Sequence, residues 1–416
     1  MYKGLRVGGV LVAALLCAGA AWGQTKLRAW NIHPDGYPVT EAMKSFAQQV
    51  GQATQGRYRI EVFSNATLGD QPKAVQMLKS GEIDIAEFSS GPLSDAVPGI
   101  KVLNLPFLFT DSAHMFRHLD GALGQRFAAN LQSAGFVVLG WYDGGGRSFY
   151  CAHRSPATIR DLAGASIRVQ QSEIYTEMVK LLDAKPVAMP FKEVLGGFEK
   201  GTIDCAENNM PSYESTGHYK LAKNVYVTNH VISPEALVVS TALWAKLSAE
   251  DRKAFAEAGA KSALLMRELW NKRVAQALET TAKQGSQFVR VKDVSPFVRR
   301  MAPLYAKYMA DPTTREELLT IIAKEAPRGP RVLRQETKGR GAAGTWAARR
   351  RPASRARRTA PAPRRCSRCA ANSAWRAGLR TRCRADEIPR HARAPWRGPR
   401  WAGPTPGPAP SARAMF

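Results

Sequence analysis

No apolar run in this 416-residue chain reaches the ~20 residues that a membrane-spanning helix needs, which sets aside such a helix. Cysteine is almost as scarce: of six, only Cys151 and Cys205 fall between residues 24 and 327. A hydrophobic core must therefore carry the fold, since a disulfide framework cannot. The two either pair in an oxidising compartment or are small buried residues. Also missing are a GxSxG elbow, an HExxH helix, a Walker loop and a GxGxxG after a strand, so no catalytic constellation emerges. Gly144-Gly145-Gly146 lacks the glycine spacing and the Lys or Ser/Thr of a phosphate cradle, and reads as a flexible turn.

The net charge of +26 is unevenly placed. Residues 328–416 hold 22 Arg, 1 Lys and 3 acids, whereas the 327 residues before them carry 37 basic and 31 acidic side chains, an ordinary balance. The body is not a polyanion binder by charge. In the tail proline, alanine and arginine dominate and no helix or strand period survives, so residues 328–416 are expected to be disordered. They read as out-of-frame translation; the rival is a basic arm for nucleic acid. Cys366, Cys369, Cys383 and His391 imitate a zinc set, yet a single CxxC in such sequence is a weak signal, and no metal or other cofactor is expected.

At the other end, Lys3 and Arg6 precede an apolar run and the small-residue site Ala21-Trp22-Gly23. Residues 1–23 therefore read as a secretory signal peptide. Leu16 before Cys17 is too bulky for a lipoprotein site, so no direct membrane anchoring is expected; the expected location is the periplasm and the expected state a monomer.

The length suits two domains. Residues 27–32, 58–62 and 83–88 have strand character and alternate with helical stripes through Phe46 and Met77, which implies a parallel sheet with helices on its faces. Further strands are expected at 136–141, 166–169 and 237–240, and helices at 173–182 and 191–200. Residues 249–283 form a proline-free helical stretch, ~50 Å long at ~1.5 Å per residue, long enough to brace two domains.

Arg168 stands at the end of a strand that would otherwise be buried. A buried guanidinium needs an anion, because Arg cannot shed its charge. The partner is either an internal Asp or Glu, or a ligand carboxylate held in the guanidinium fork. Arg147, beyond the glycines, is a similar but weaker case.

Ala66-Thr67-Leu68-Gly69-Asp70, Lys79-Ser80-Gly81-Glu82-Ile83-Asp84-Ile85, Leu105-Pro106-Phe107-Leu108-Phe109, Ile167-Arg168-Val169, Pro190-Phe191-Lys192-Glu193-Val194 and Asp204-Cys205-Ala206-Glu207-Asn208-Asn209 occur in unbroken order. The set resembles the substrate-binding proteins of tripartite ATP-independent periplasmic (TRAP) transporters. The resemblance implies a two-domain periplasmic-binding-protein-like α/β fold, each domain a mostly parallel sheet with flanking helices, closing on a ligand. The expected division is residues 24–146 with 235–272 and residues 147–234 with 273–327. Arg168 would then bind the ligand carboxylate, Arg147 support it and Asn208 hydrogen-bond it, the bland alternatives being a solvated loop charge for Arg147 and a turn for Asn208. Cys205 stands where glycine is frequent, which leaves the backbone beside Asn208 open. Glu87 is a candidate acceptor for ligand hydroxyls, or else a surface acid, and Phe191 a cover for an apolar face, or else core. His33, Asp35 and Tyr37 are placed at the same crevice. The segment His33-Pro34-Asp35-Gly36-Tyr37-Pro38 with Arg147-Ser148-Phe149-Tyr150 resembles members that take sugar acids such as uronates; C4-dicarboxylates stay open. The expected partners are a small organic acid and TRAP membrane subunits, not nucleic acid, and the function is a receptor's, with an enzyme on the same acid as the rival.

Overall fold

The computed structural model describes residues 23–323. The expected signal peptide up to Trp22, with Cys17, and the arginine-rich tail with Cys366, Cys369, Cys383 and His391 lie outside the described residues. Among the described residues no helix is long and apolar enough to cross a membrane.

Among the described residues nine strands form one mixed sheet: β1 (Thr25–Trp30), β2 (Tyr58–Phe63), β3 (Ile85–Ser89), β4 (Phe136–Cys151), β5 (Ser166–Val169), β6 (Lys185–Ala188), β7 (Cys205–Asn208), β8 (Asn224–Ser240) and β9 (Gln287–Arg290). The order is β2-β1-β3-β8-β4-β7-β5-β6, with β9 beside β8. β2, β1 and β3 are parallel, as are β7, β5 and β6. Between these groups run the long antiparallel strands β4 and β8. β3 lies on β8 from Val239 to Glu235, and β7 lies on β4 from Cys151 to Ser148. Since Glu235 pairs with Tyr142 of β4, the C-terminal ends of both parallel groups point toward the middle of the long pair. That is where open α/β sheets place a ligand crevice.

Helix chemistry is local. Helix α1 (Pro38–Ala53) starts with proline, which lacks only an N–H that would be orphaned there. In α2 (Gln71–Ser80) the Asp70 side chain accepts from Lys73 N, and Gly81 closes the end at φ 77°, a left-handed conformation that suits glycine. The long helix occupies Ala249–Lys283 as expected, capped by Ser248, with Glu250 and Asp251 in its first turn. It packs on β4 at Gly259, where a Cβ would meet Leu139 Cβ at 2.6 Å.

Period-two alternation sorts the sheet faces. Leu27, Ala29, Ile85, Leu237 and Val239 pack with Met43, Phe46, Phe255 and Met266, while Trp30, Ala86, Phe88 and Val238 pack with Leu93, Leu103 and Phe127. Tyr150, Ala206 and Val225 join Phe198 and Tyr213 in a third cluster.

Three expectations are corrected. The three glycines are not a turn: β4 continues through them to Cys151, with register shifts against β8 on both sides of Gly146. A Cβ on Gly144 would lie 2.7 Å from Ser233 O, and one on Gly145 2.7 Å from Trp270 Cζ2, so they admit close neighbours. The strand expected at 237–240 starts at Asn224, because Pro234 sits at an irregular pairing and does not break it. The helix expected at 191–200 is a single turn, Phe191–Glu193, followed by Val194–Glu199. Cys151 and Cys205 face each other across β4 and β7 and are disulfide-bonded. β7 is regular through Cys205, which places Asn208 on a strand and not in a turn.

Candidate ligand-binding site

The strand ends surround a narrow cavity. Its wall includes Arg168, Arg147, Asn208, Phe191 and His33 from the sequence reading, together with Gln71, Ser89, Gln170, Asn209, Ser212 and Glu235, which that reading missed.

Arg168 lies on β5 and is 2% exposed. Its Nε and Nη2 donate to Met189 O at 3.1 and 2.8 Å, while Nη1 is buried without an acceptor. Among the described residues no carboxylate forms an ion pair with Arg168, so the internal-partner alternative fails there. Burial lowers its pKa to about 10, which leaves it charged at neutral pH. His218 nearby is held down at about 3 by burial and then by Arg168, and its Nδ1 meets Tyr150 Oη at 2.9 Å. It stays neutral, so Arg168 is not joined by an imidazolium.

Arg147 is no solvated loop charge. It is buried on β4 and faces β7, where Nε donates to Glu207 Oε2 at 2.6 Å and Nη2 to Glu207 Oε1 at 2.7 Å. Burial alone would ease its proton off, but Glu207 outweighs burial and raises its pKa. Nη1 donates to Asn208 Oδ1 at 2.8 Å, and the Asn209 backbone N–H donates to the same oxygen at 2.9 Å. With its carbonyl thus occupied, Asn208 has its amide N–H groups left to offer. Asn209, beside it, caps the helix Met210–Ser215 by accepting from Ser212 N.

Around the first strand's exit, His33 stacks on Tyr37 with centroids 4.0 Å apart and meets the edge of Phe191 at 5.8 Å. Phe191 is half-buried and lines the cavity, as cover would require. Tyr37 is behind the wall: its hydroxyl binds Ser212 Oγ at 2.9 Å and donates to Asn209 Oδ1 at 3.3 Å. Asp35 does not face the crevice; it is exposed and pairs with Lys44 at 2.9 Å. Glu87 is no surface acid, being fully buried, but it too lies behind the wall, with Glu235 of β8 in front. His33, Glu87 and Glu235 bring their polar atoms within 4.8 Å of one another. Gln71 holds Ser89 through two backbone hydrogen bonds, and Gln170 meets Ser89 Oγ at 3.2 Å.

The chemistry on offer is an unspent guanidinium, an amide donor, several hydroxyl and amide groups, an acidic acceptor and one aromatic face. This defines a binding protein for a small polar anion: the cavity supplies charge and hydrogen bonds to hold one.

The matching family model, bacterial extracellular solute-binding protein family 7, covers residues 31–311, and the chain belongs to this family, that of the TRAP solute-binding proteins. A solute-binding protein of Chromohalobacter salexigens is 39% identical over 295 residues, which is 71% of this chain and 88% of that protein. The TRAP solute-binding protein of Roseobacter denitrificans, solved with β-D-glucuronate, is 40% identical with a TM-score of 0.71, over 72% of this chain and 100% of that one. A Sulfitobacter counterpart with β-D-galacturonate is 35% identical with a TM-score of 0.70, over 71% of this chain and 99% of that one.

Proposed function

We propose that this chain is a periplasmic receptor, and not an enzyme, that captures a hexuronate or related sugar acid and delivers it to TRAP membrane subunits. The observation that carries this reading is Arg168: a buried, charged fork with Nη1 unpaired on the wall of a polar cavity. A ligand carboxylate would complete it. The glucuronate and galacturonate bound to the similar structures support sugar acids over simple dicarboxylates. The polar wall, with its amides, two serines and the Glu235 carboxylate, fits the same class. Arg147 supports the site by fixing Asn208, and Phe191 covers one face of the ligand.

The division into residues 24–146 with 235–272 and 147–234 with 273–327 belongs to this proposal. It is supported by the register shifts of β4 on either side of Gly146, which mark a place where the long strands can flex. Contacts crossing this division include Lys192 Nζ to Ala66 O at 3.1 Å and Gln171 Nε2 to Asp70 Oδ2 at 3.1 Å, as in a closed receptor.

A thermal-shift screen with D-glucuronate, D-galacturonate, D-erythronate and succinate tests the reading. A sugar acid at ~100 times its Kd adds ~2.7 kcal/mol of stability. Stabilisation by succinate alone would overturn the sugar-acid assignment, and turnover of the bound acid would restore the enzyme reading.

A further inference from the structure

Glu87 and Glu235 leave the same face of the sheet. Ser89 pairs with Glu235 and Glu87 with Leu237, so the two acids are diagonal neighbours within reach of each other. Both carboxyl oxygens of Glu87 are buried without a hydrogen-bond donor, as is Oε2 of Glu235, which is 5% exposed on the cavity wall. His33 Nε2 stands 3.8 Å from Glu235 Oε1, and neither ring nitrogen has a hydrogen-bond partner. The other titratable groups acting on or facing the pair are Tyr37 from α1's start, Tyr142 and Asp143 from β4 and Tyr175 from the helix Glu173–Lys180; none brings positive charge. Arg267 and Arg273, the cations that act on Asp143 and Tyr37, are held by Asp120 and Glu214, and Arg147, which acts on Tyr175, is held by Glu207; Arg147 and Arg168 share the cavity wall with Glu235, but neither is ion-paired with it.

Two buried carboxylates within 4.8 Å of each other, with no lysine or arginine paired to either, do not both ionise. Glu87 is the more enclosed, and burial, then the charge of Glu235, raises its pKa well above the carboxylate range. Glu235 borders the cavity, where ligand hydroxyls can solvate its charge.

We propose that Glu87 holds a proton and donates it as a hydrogen bond to Glu235, and that Glu235, ionised and flanked by His33, is the specificity-determining acceptor for hydroxyls of the sugar acid. The proposal rests on the sugar-acid reading. Glu87 acts through Glu235 and is a positioning residue. A divalent cation is the other means of neutralising the cluster, but 3.8 Å between His33 and Glu235 is wider than the ~3.0–3.4 Å separating donors bound at ~2.1 Å to one ion.

The proton is tested without ligand. Wild type and Glu87→Gln are unfolded thermally from about pH 5 to about pH 9. Because the folded pKa of Glu87 is raised, its contribution is full below the unfolded carboxyl pKa and is lost as pH rises toward the folded value. An amide at this position has no such proton to lose, so the Tm of Glu87→Gln should gain on wild type as pH rises; a pH-independent gap overturns the shared proton. So does a stoichiometric divalent metal in purified wild type that Glu87→Gln loses. The acceptor is tested by calorimetry with D-glucuronate: Glu235→Ala should bind at least ~30-fold more weakly. Wild-type affinity should fall in the alkaline range, and Glu87→Gln should flatten that fall. Unchanged affinity in Glu235→Ala overturns the acceptor. If no sugar acid binds wild type, the sugar-acid reading and the acceptor fall together, while the proton stands or falls on the unfolding data alone.

Discussion

Arg147 and Glu207 meet across β4 and β7 as a two-point ion pair, Nε to Oε2 at 2.6 Å and Nη2 to Oε1 at 2.7 Å, and both side chains are buried. Removing one partner strands the other charge, so Arg147→Ala or Glu207→Ala should each cost ~3–5 kcal/mol in the ligand-free protein. Arg168→Ala strands no carboxylate and should cost far less. Urea unfolding of the three variants checks the ordering; equal losses would contradict it.

The same pair sets an acid limit. Burial would raise the Glu207 pKa, but Arg147, then His230, outweigh burial and bring it to about 2. A depressed carboxylate pKa contributes stability above the unfolded value of about 4.5, lost as pH falls toward about 2. About 3 kcal/mol of wild-type stability should disappear across that window. Glu207→Gln should lack this component when the two proteins are titrated in parallel.

Arg168, Arg147, Phe191 and His33 stood out as charged or aromatic groups beside expected strand ends or helix starts, and Asn208 only through the family resemblance; all five line the cavity. Glu235 escaped notice for a physical reason: Pro234 before it reads as a breaker, so the strand carrying it looked too short. In the fold, β8 passes through the proline at an irregular pairing and presents Glu235 beside Ser89. Gln71 and Ser89 were missed because their meeting depends on the path from α2 to β3, which local periodicity does not encode. The long helix was readable end to end, since capping and composition are local properties.

The Cys151–Cys205 disulfide joins residues 54 apart in sequence. Chain entropy alone gives ~4 kcal/mol for a loop of that size. Protein recovered from an oxidising compartment should show neither of these thiols to an alkylating reagent after denaturation without reductant. Reduction, or a Cys151→Ser/Cys205→Ser double change, should lower the urea midpoint; an unaltered midpoint would mean that the crosslink adds nothing to β4–β7 pairing.

If the strands flex near Gly146, the ligand-free receptor should populate an open form. Adding a saturating sugar acid should then reduce the radius of gyration in solution scattering. Gly145 has φ 68° and lies against Trp270, so Gly145→Val should disturb the crossing even without ligand. An identical scattering curve with and without bound acid would argue against closure.

Arg168 carries the sharpest expectation. Two of its nitrogens are fixed on Met189 O, which orients the guanidinium and leaves Nη1 for a ligand carboxylate. A lysine keeps the charge but cannot both hold Met189 O and reach the ligand with planar geometry, so Arg168→Lys should weaken binding substantially. Arg168→Ala should cost ~2–5 kcal/mol of binding, because an enclosed carboxylate would lose its counter-charge. Its ligand-free stability should at the same time hold or rise, since an unpaired buried cation has been removed. Calorimetry and unfolding on one preparation separate this from general damage: weak binding with intact stability marks the anchor, whereas tight binding by Arg168→Ala would place the carboxylate elsewhere in the cavity.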